Sequence, residues 1–489
     1  MNTRETFRIA DYYSHPAVRE RMLDFLGGES AATATCVYLT AGDLANPRHR
    51  EPLPPDEIER CWAEGRDISR SLWDRKWLVA HLDIEYVNFD RPDQPYTDPA
   101  RSFELQRPVE LAILATLADF GIEPLHLLSG RGHHFVWCIL QGSEPYHQLL
   151  GLGSLHPSLD ALYARPHRPH DETLPAPLGM AHAGLGLVIE YLGHRVRQAC
   201  VRVAHVPVEF TAIEVGSGTR GREMLSIDLS EYGDPLTARV IRVPFSLYLK
   251  PWQQRGLLGE STVAGLPPSF LIPLTSLDTR EGLRVMHQLP AVQDLARSAC
   301  TRIPDHTEGM SRLIREYSTS GLARFHKDFH SIDQDPPSAW PDTYDRTPMD
   351  PLPSCARFVL DHPNDRLLRP ANLRRIVRVM MALGWHPRHI AGLICSKFER
   401  DHGWGGLWRG YDPSLRADFY TRLFAGQVVA AQDELVDFNC QSAREQQLCY
   451  IDHCNDNLER FKTSLLHRRN HERLACRPFN RLLLPQEPV

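Results

Sequence analysis

The sequence has no apolar run long enough to cross a membrane, and its first residues lack the hydrophobic stretch of a signal peptide. Its 489 residues include 31 glycines and 38 prolines, too few for a collagen-like or low-complexity chain, and they contain no internal repeat. Hydrophobic residues make up 42% and charged residues 24%, as in an ordinary globular protein. We therefore expect an intracellular, cytoplasmic protein of roughly two to four domains with no membrane partner.

The sequence also lacks an excess of positive charge. Its 55 Lys and Arg residues against 61 Asp and Glu residues leave a net charge of −6, which argues against a large surface that coats nucleic acid non-specifically. The charge is unevenly distributed, because residues 355–489 carry 20 basic and 15 acidic side chains, a net charge of +5, whereas the rest of the chain carries −11. The C-terminal part is therefore the basic part.

A proline-rich segment divides the chain into two patterns. Residues 331–353 contain six prolines, which exclude a continuous helix or a central strand and predict a mostly extended linker. Before it, strand-like apolar runs alternate with helical patterns, and after it the pattern is helical. The sequence predicts an α+β protein, with a mixed sheet and flanking helices in a domain spanning 1–330 and a mainly helical domain spanning 354–489.

An acid pair follows the apolar run that begins at Trp77. In a strand, Asp83 and Glu85 would project from the same face while Leu82 and Ile84 point into the core. Two neighbouring carboxylates repel unless a cation lies between them, so the pattern is typical of a site for hard divalent ions. The alternative is an exposed strand face that happens to carry two acids.

A glycine-rich turn lies between the next helix and strand, in residues 129–134 (SGRGHH). Its glycines would let backbone amides approach a phosphate, and Arg131 with a histidine would add positively charged donors. The segment predicts a cradle for a triphosphate. The alternative is an ordinary glycine-rich turn with an unrelated arginine.

A third apolar segment ends in a single acid, Asp228, and is followed by residues 239–250 (RVIRVPFSLYLK). Arg242, Ser246 and Lys250 could line a polyanion. Taken alone, the segment is read more simply as an ordinary strand with a solvated face.

Together the three segments resemble, in order and in local sequence, the catalytic subunit of the archaeo-eukaryotic primase superfamily, over roughly residues 77–250. Glu85 stands where a second Asp is more usual, as in some branches of the superfamily, and the Cys/His zinc knuckle of many small subunits is not found. The resemblance implies that the catalytic acids, which would bind Mg²⁺ or Mn²⁺, are Asp83, Glu85 and Asp228. It implies that the residues holding the triphosphate are Ser129, Arg131 and His134, together with Arg242, Ser246 and Lys250.

The C-terminal part contains a compact group of cysteines. Eight residues separate Cys440 from Cys449 and four separate Cys449 from Cys454, whereas Cys355 opens the domain and Cys476 is the last cysteine. Zinc fingers contain paired CxxC units, and this spacing contains none. Four thiolates are the usual ligands of a [4Fe–4S] cluster. A zinc site and a set of buried free thiols are the alternatives.

This segment resembles the iron–sulfur domain of the primase large subunit, which has an initial Pro-x-Cys, a helical stretch with an arginine near its start, and a Cys-x8-Cys pair followed by a fourth Cys. The resemblance implies a [4Fe–4S] cluster with Cys454 as the preferred fourth ligand and Cys476 as the alternative. It implies that the ligands are Cys355, Cys440, Cys449 and Cys454.

The two resemblances imply one function for the chain: a primase-polymerase that makes short primers from nucleoside triphosphates on single-stranded DNA, with a replicative helicase as a further candidate partner. One alternative is a repair or translesion polymerase that extends primers but does not initiate them. Another is a non-catalytic DNA-binding replication initiator of a mobile element, for which loss of at least one of Asp83, Glu85 and Asp228 would be expected.

Overall fold

The computed structural model confirms the α+β class. It describes residues 9–43, 49–216, 222–400, 402–406, 412–451, 454 and 457–475. The chain forms two compact units, of which the first comprises Met1–Ile189, Ala199–Ala212 and Met224–Ile314. The second comprises Glu190–Gln198, Ile213–Glu223 and Arg315–Val489.

Two sheets are found in the described ranges. The smaller has the strand order β2-β1-β3-β9 and the larger has the order β10-β5-β6-β4-β8-β7. The strands are β1 (Leu39–Gly42), β2 (Glu51–Leu53), β3 (Asp67–Ser71), β4 (Trp77–Asn88), β5 (Leu125–Leu128), β6 (Gly132–Leu140), β7 (Val208–Phe210), β8 (Glu223–Asp228), β9 (Val240–Arg242) and β10 (Ile272–Pro273). The pairing of β4, β5 and β6 is antiparallel and that of β7 with β8 is parallel, so the larger sheet is mixed, as predicted.

Helices alternate with these strands in residues 16–319. They are α1 (Pro16–Leu26), α2 (Ile58–Ala63), α3 (Gln94–Thr97), α4 (Pro99–Asp119), α5 (Glu144–Leu152), α6 (Pro157–Tyr163), α7 (Ala176–Cys200), α8 (Lys250–Gln253), α9 (Arg255–Leu258), α10 (Glu260–Gly265), α11 (Thr279–Val285), α12 (Leu289–Ser298) and α13 (Thr307–Thr319). Short 3-10 turns occur at Ala31–Thr33, Pro55–Glu57, Ser230–Gly233 and Leu236–Ala238.

The central strand of the larger sheet, β4, carries the predicted acid pair. Its alternation places Leu82 and Ile84, both at most 1% exposed, in the core. Helix α4 packs against this strand. The helix begins at Pro99, where the missing amide hydrogen costs nothing, and the Asp98 side chain caps it by accepting a hydrogen bond from the Arg101 amide.

In its described residues after 319, the second unit contains helices and their connecting segments. Its later helices are α14 (Gly321–Ser331), α15 (Ser354–Asp361), α16 (Pro370–Ala382), α17 (Pro387–Phe398), α18 (Pro413–Val429), α19 (Cys440–Glu445) and α20 (Asn457–Ala475). No helix in the described ranges is both long enough and apolar enough to span a membrane.

Residues 331–353, predicted as an extended linker, fold into two 3-10 turns, Pro337–Asp342 and Tyr344–Arg346, within the second unit. Trp340 and Tyr344 are buried there, and the Trp340 indole donates a 2.9 Å hydrogen bond to the Asp335 carbonyl. Prolines exclude a continuous α-helix but are tolerated in the first turn of a short helix. Burial of the two aromatic side chains therefore decides the conformation of this segment.

Candidate active site

The predicted acids lie on neighbouring strands of the larger sheet. Asp83 and Glu85 are on β4, and Asp228 is the last residue of β8, which lies next to β4. The Asp228 carboxylate accepts a 2.9 Å hydrogen bond from the Ser230 amide, which fixes its orientation at the strand end. The structure thus brings together three acids that lie up to 145 residues apart in the sequence.

Two cations neutralise Glu85. The Arg131 guanidinium pairs with one carboxylate oxygen, and the Lys250 ammonium lies 2.7 Å from the other. The Glu85 side chain is only 9% exposed, so these contacts are sheltered from solvent. Burial alone would raise the pKa of Glu85, but Arg131 and Lys250 together lower it below its usual range. Glu85 is therefore ionised at neutral pH.

Asp83 has a different environment. No described residue forms a hydrogen bond with its buried Oδ1 atom, and His134 Nδ1 lies 3.5 Å away from it. Burial, followed by the charge of Glu85 and a smaller contribution from Asp228, raises the pKa of Asp83 well above its usual range, although His81 and Lys250 oppose the shift. A buried carboxylate oxygen without a partner, beside two further acids, fits a divalent cation with oxygen ligands.

The predicted phosphate cradle is a tight turn between β5 and β6. The Ser129 hydroxyl is buried and donates to the Gly132 carbonyl at 3.1 Å, while the Gly132 amide donates back to it at 3.2 Å. A side chain at Gly130 would meet the Tyr248 ring at 2.5 Å, and one at Gly132 would meet the Ile84 carbonyl oxygen at 1.9 Å. Close packing thus requires glycine at both positions, and the turn aims Arg131 at Glu85.

Two other predicted phosphate ligands have protein partners. The Arg242 guanidinium forms two hydrogen bonds, of 2.8 and 3.0 Å, with the fully buried Asp67. It also lies 4.5 Å from the centre of the Tyr248 ring. The Ser246 hydroxyl accepts a 2.7 Å hydrogen bond from the Ile68 amide and is fully buried. In this structure Ser246, like Ser129, therefore holds the backbone in place.

His134 belongs to a hydrogen-bonded row that the sequence analysis missed. Its Nδ1 atom lies 2.9 Å from His81 Nε2, and His81 Nδ1 lies 2.7 Å from Glu231 Oε2. The two imidazole rings stack with their centres 5.1 Å apart. His81 could have been found from the sequence, because it lies two residues before Asp83 and therefore on the same face of the strand. Glu231 and His81 orient His134 beside the acids.

The predicted cluster cysteines occur in the second unit. Cys355 lies in α15, Cys440 is the first residue of α19, and Cys449 and Cys454 follow in irregular chain; Cys476 lies outside the described residues. Burial raises the pKa of Cys355, and the charges of Cys449 and Cys454 add to the shift although Arg375 opposes it. Cys355 thus lies close enough to Cys449 and Cys454 for their charges to affect its pKa.

Within the described ranges, no three of these sulfur atoms lie within 4.8 Å of one another. Tetrahedral zinc with Zn–S bonds of about 2.3 Å would bring its thiolates to about 3.8 Å. A [4Fe–4S] cluster attaches each thiolate to a different iron and so tolerates a wider spacing. No three of these described cysteines are therefore placed to hold a single tetrahedral zinc ion, and the cluster stays a prediction.

Buried arginines of α16 hold the chain next to two of these cysteines. Arg374 and Arg378 pair with Asp437, three residues before Cys440, and Arg378 also binds Asp433 through its Nε atom at 3.0 and 3.1 Å. The Arg375 guanidinium donates a 2.8 Å hydrogen bond to the carbonyl of Leu448, which directly precedes Cys449. These arginines thus position the cysteine segment from inside the domain.

We expect replacement of Arg378 by Met to lower the free energy of unfolding by about 3–5 kcal/mol, because it leaves the buried carboxylates of Asp433 and Asp437 without this cation. This loss of unfolding free energy should be larger at neutral pH than in acid. Burial raises the pKa of Asp437, but Arg374 and Arg378 lower it below its usual range, so the stabilisation exists above about pH 4 and is lost on acidification. Urea unfolding at several pH values measures both effects.

The control for this prediction is Arg357→Met, which removes an arginine whose side chain is 45% exposed in its pairs with Asp350 and Asp361. Exposed ion pairs contribute little to stability, so this variant should unfold at the wild-type denaturant concentration. Equal losses of unfolding free energy in Arg378→Met and Arg357→Met would show that the buried ion pairs stabilise the protein no more than the exposed ones.

No family model matches this chain, and no curated protein matches it. Among solved structures, the chain shows similarity to the polymerase domain of Mycobacterium tuberculosis Ligase D in complex with DNA. The two share 14% sequence identity with a TM-score of 0.30, and the match covers 66% of this chain and 92% of the other. Neither the fold nor the function of this chain follows from so low a TM-score.

Proposed function

We propose that the chain is a DNA primase-polymerase, which synthesises short primers from nucleoside triphosphates on a single-stranded DNA template by two-metal nucleotidyl transfer. The observation that carries the proposal is the acid group on neighbouring strands, formed by Asp83, Glu85 and Asp228, with Arg131 and Lys250 directly against it. Acids that bind divalent ions, next to cations that bind phosphates, are the two components that phosphoryl transfer requires.

The acids would hold the divalent ions. When bound, Mg²⁺ or Mn²⁺ supplies activation of the attacking 3′-hydroxyl and stabilisation of the leaving pyrophosphate. Asp83 is suited to this role because its Oδ1 atom has no hydrogen-bond partner among the described residues and its charge is opposed by that of Glu85. A cation beside Asp83 would give the Oδ1 atom a partner and would offset the repulsion between the two carboxylates.

Arg131, Lys250 and His134 would bind the triphosphate next to the acids. Arg131 and Lys250 end at Glu85, so a phosphate held near the acids comes within reach of both. Burial and the charge of His81 lower the pKa of His134 well below its usual range, so the imidazole is neutral and can donate one hydrogen bond. Arg242 would contribute positive charge from its fixed position on Asp67.

The second unit would assist initiation. Residues 355–489 carry a net charge of +5, which suits binding of the template or of the initiating nucleotide. The proposed [4Fe–4S] cluster, held by Cys355, Cys440, Cys449 and Cys454, would join α15 to the start of α19 and to the segment after it. Initiation needs two nucleotides held without a primer. This costs more entropy than extension does, and it therefore needs additional contacts.

Primer extension tests the chemistry separately from initiation. The full chain, given a primer annealed to a longer template with labelled deoxynucleoside or ribonucleoside triphosphates and Mg²⁺ or Mn²⁺, should lengthen the primer according to the template sequence. DNA binding without any incorporation under all four conditions would favour the non-catalytic replication initiator. Addition of nucleotides that ignores the template would contradict template-directed synthesis.

A further inference from the structure

A second group of potential metal ligands lies on the other face of the sheet. His133 and His134 follow each other on β6, so His134 points to the acids and His133 to the opposite face. His126 on β5 is paired with Phe135, two residues after His133, and therefore shares the face of His133. Glu110 of α4 reaches the same place, and its carboxylate lies 3.9 Å from His133 Nε2.

We propose that Glu110, His126 and His133 bind a zinc ion. One ligand atom from each of the three side chains can be chosen so that all lie within 4.8 Å of one another. Two histidines and one glutamate are an established zinc donor set, in which a fourth position is left for water or another ligand. This site would be separate from the acids proposed to act in nucleotidyl transfer.

The Nε2 atom of His133 supports an ion at this position, because it is buried and no described residue forms a hydrogen bond with it. His133 Nδ1 lies 2.9 Å from His126 Nε2; a neutral imidazole has one lone pair, so this hydrogen bond would be given up when both rings bind the ion. The 3.9 Å distance to Glu110 is too long for a hydrogen bond. It is, however, shorter than the sum of one Zn–N and one Zn–O distance, about 4.2 Å, so one ion fits between the two atoms.

The charges in the site also favour a cation. Glu110 is 5% exposed, and the Arg107 guanidinium pairs with it only at 3.9 Å, from a side chain that is 55% exposed. Thr279 adds only long hydrogen bonds of 3.4 and 3.5 Å. A buried carboxylate with such weak compensation costs free energy, which a divalent ion would recover.

The histidines are in the protonation state that a metal requires. Burial lowers the pKa of His126 to about 4, and burial with the charge of His126 lowers that of His133 well below its usual range. Both imidazoles are thus neutral at pH 7 and carry a lone pair. Phe103 and Phe135 pack against them, which restrains the rings before an ion binds. An ion here would join α4 to strands β5 and β6.

Zinc content tests the proposal. The full chain, treated with a chelator and then dialysed against buffered zinc, should retain about one zinc more per chain than Glu110→Gln or His126→Asn, measured by elemental analysis. The control is His182→Asn, which changes another buried histidine whose ring nitrogens have no hydrogen-bond partner among the described residues, and it should keep the wild-type zinc content. Equal zinc content in wild type and Glu110→Gln would overturn the proposal.

Thermal unfolding gives a second test that does not depend on counting metal ions. Without an ion, Glu110→Gln removes a poorly compensated buried charge and should be at least as stable as wild type. If the site binds zinc, added zinc should raise the unfolding temperature of wild type more than that of Glu110→Gln. Equal shifts in the two proteins would contradict the proposal, as would the absence of an anomalous diffraction peak between Glu110 and His133 in zinc-grown crystals.

Discussion

Replacement of Asp83 by Asn is expected to reduce nucleotide incorporation by at least about a thousandfold, about 4 kcal/mol of transition-state stabilisation. The variant would lose a ligand of a divalent ion at the reacting phosphate. Glu85→Gln and Asp228→Asn should have comparable effects, because all three acids belong to one group on neighbouring strands. Single-nucleotide incorporation at saturating Mg²⁺ or Mn²⁺ measures the loss.

The same variant should not lose stability. Burial and the charge of Glu85 raise the pKa of Asp83 well above its usual range, which means that ionised Asp83 destabilises the fold as the pH rises. Asp83→Asn should therefore unfold at the same temperature as wild type or a higher one near pH 7. Glu104→Gln, an exposed substitution on α4, is the control and should keep full activity. Full activity of Asp83→Asn would remove the catalytic assignment.

Protein purified without oxygen is expected to be brown and to contain about four irons per chain, as a [4Fe–4S] cluster does. Cys449→Ser should abolish the colour and the iron, and it should reduce initiation more than extension, because only initiation is assigned to the second unit. Loss of the cluster should also lower the unfolding temperature of that unit, because ligand binding is part of its folding free energy. Elemental analysis, absorbance and paired initiation and extension assays measure these effects.

Cys395→Ser is the matched control for the cysteine prediction. Cys395 is also buried in the second unit, in α17, but it is not among the predicted ligands. This variant should keep its iron and its colour. Cys454→Ser compared with Cys476→Ser identifies the fourth ligand. One zinc and no iron in wild-type protein would make the site a structural zinc site, and the absence of any metal would reduce it to a group of buried thiols.

The parts of the site that could be predicted from the sequence depend on local periodicity. Asp83 and Glu85 share a face because side chains alternate along a strand, and Asp228 ends a strand because an apolar run stops there. Glu85 also contacts Arg131 and Lys250, which lie 46 and 165 residues further along the sequence. No spacing rule predicts such contacts, and only the resemblance to a family suggested that these residues belong together.

Other features depend on tertiary contacts that a linear pattern does not contain. Gly130 and Gly132 suggested a phosphate cradle, whereas the Tyr248 ring and the Ile84 carbonyl explain why a side chain is excluded there. The hydroxyls of Ser129 and Ser246 were expected to face a ligand, but backbone groups bind both. The group formed by Glu110, His126 and His133 was missed for the same reason, since a helix and two strands contribute to it.

Synthesis on unprimed single-stranded DNA tests the central claim most directly. The full chain, with labelled nucleoside triphosphates and Mg²⁺ or Mn²⁺, should produce short labelled strands on a denaturing gel, and Asp83→Asn should produce none. Products that form only when a primer is annealed would contradict initiation and identify an extending polymerase. Products of equal yield from wild type and Asp83→Asn would contradict the assignment of the acid group as the catalytic site.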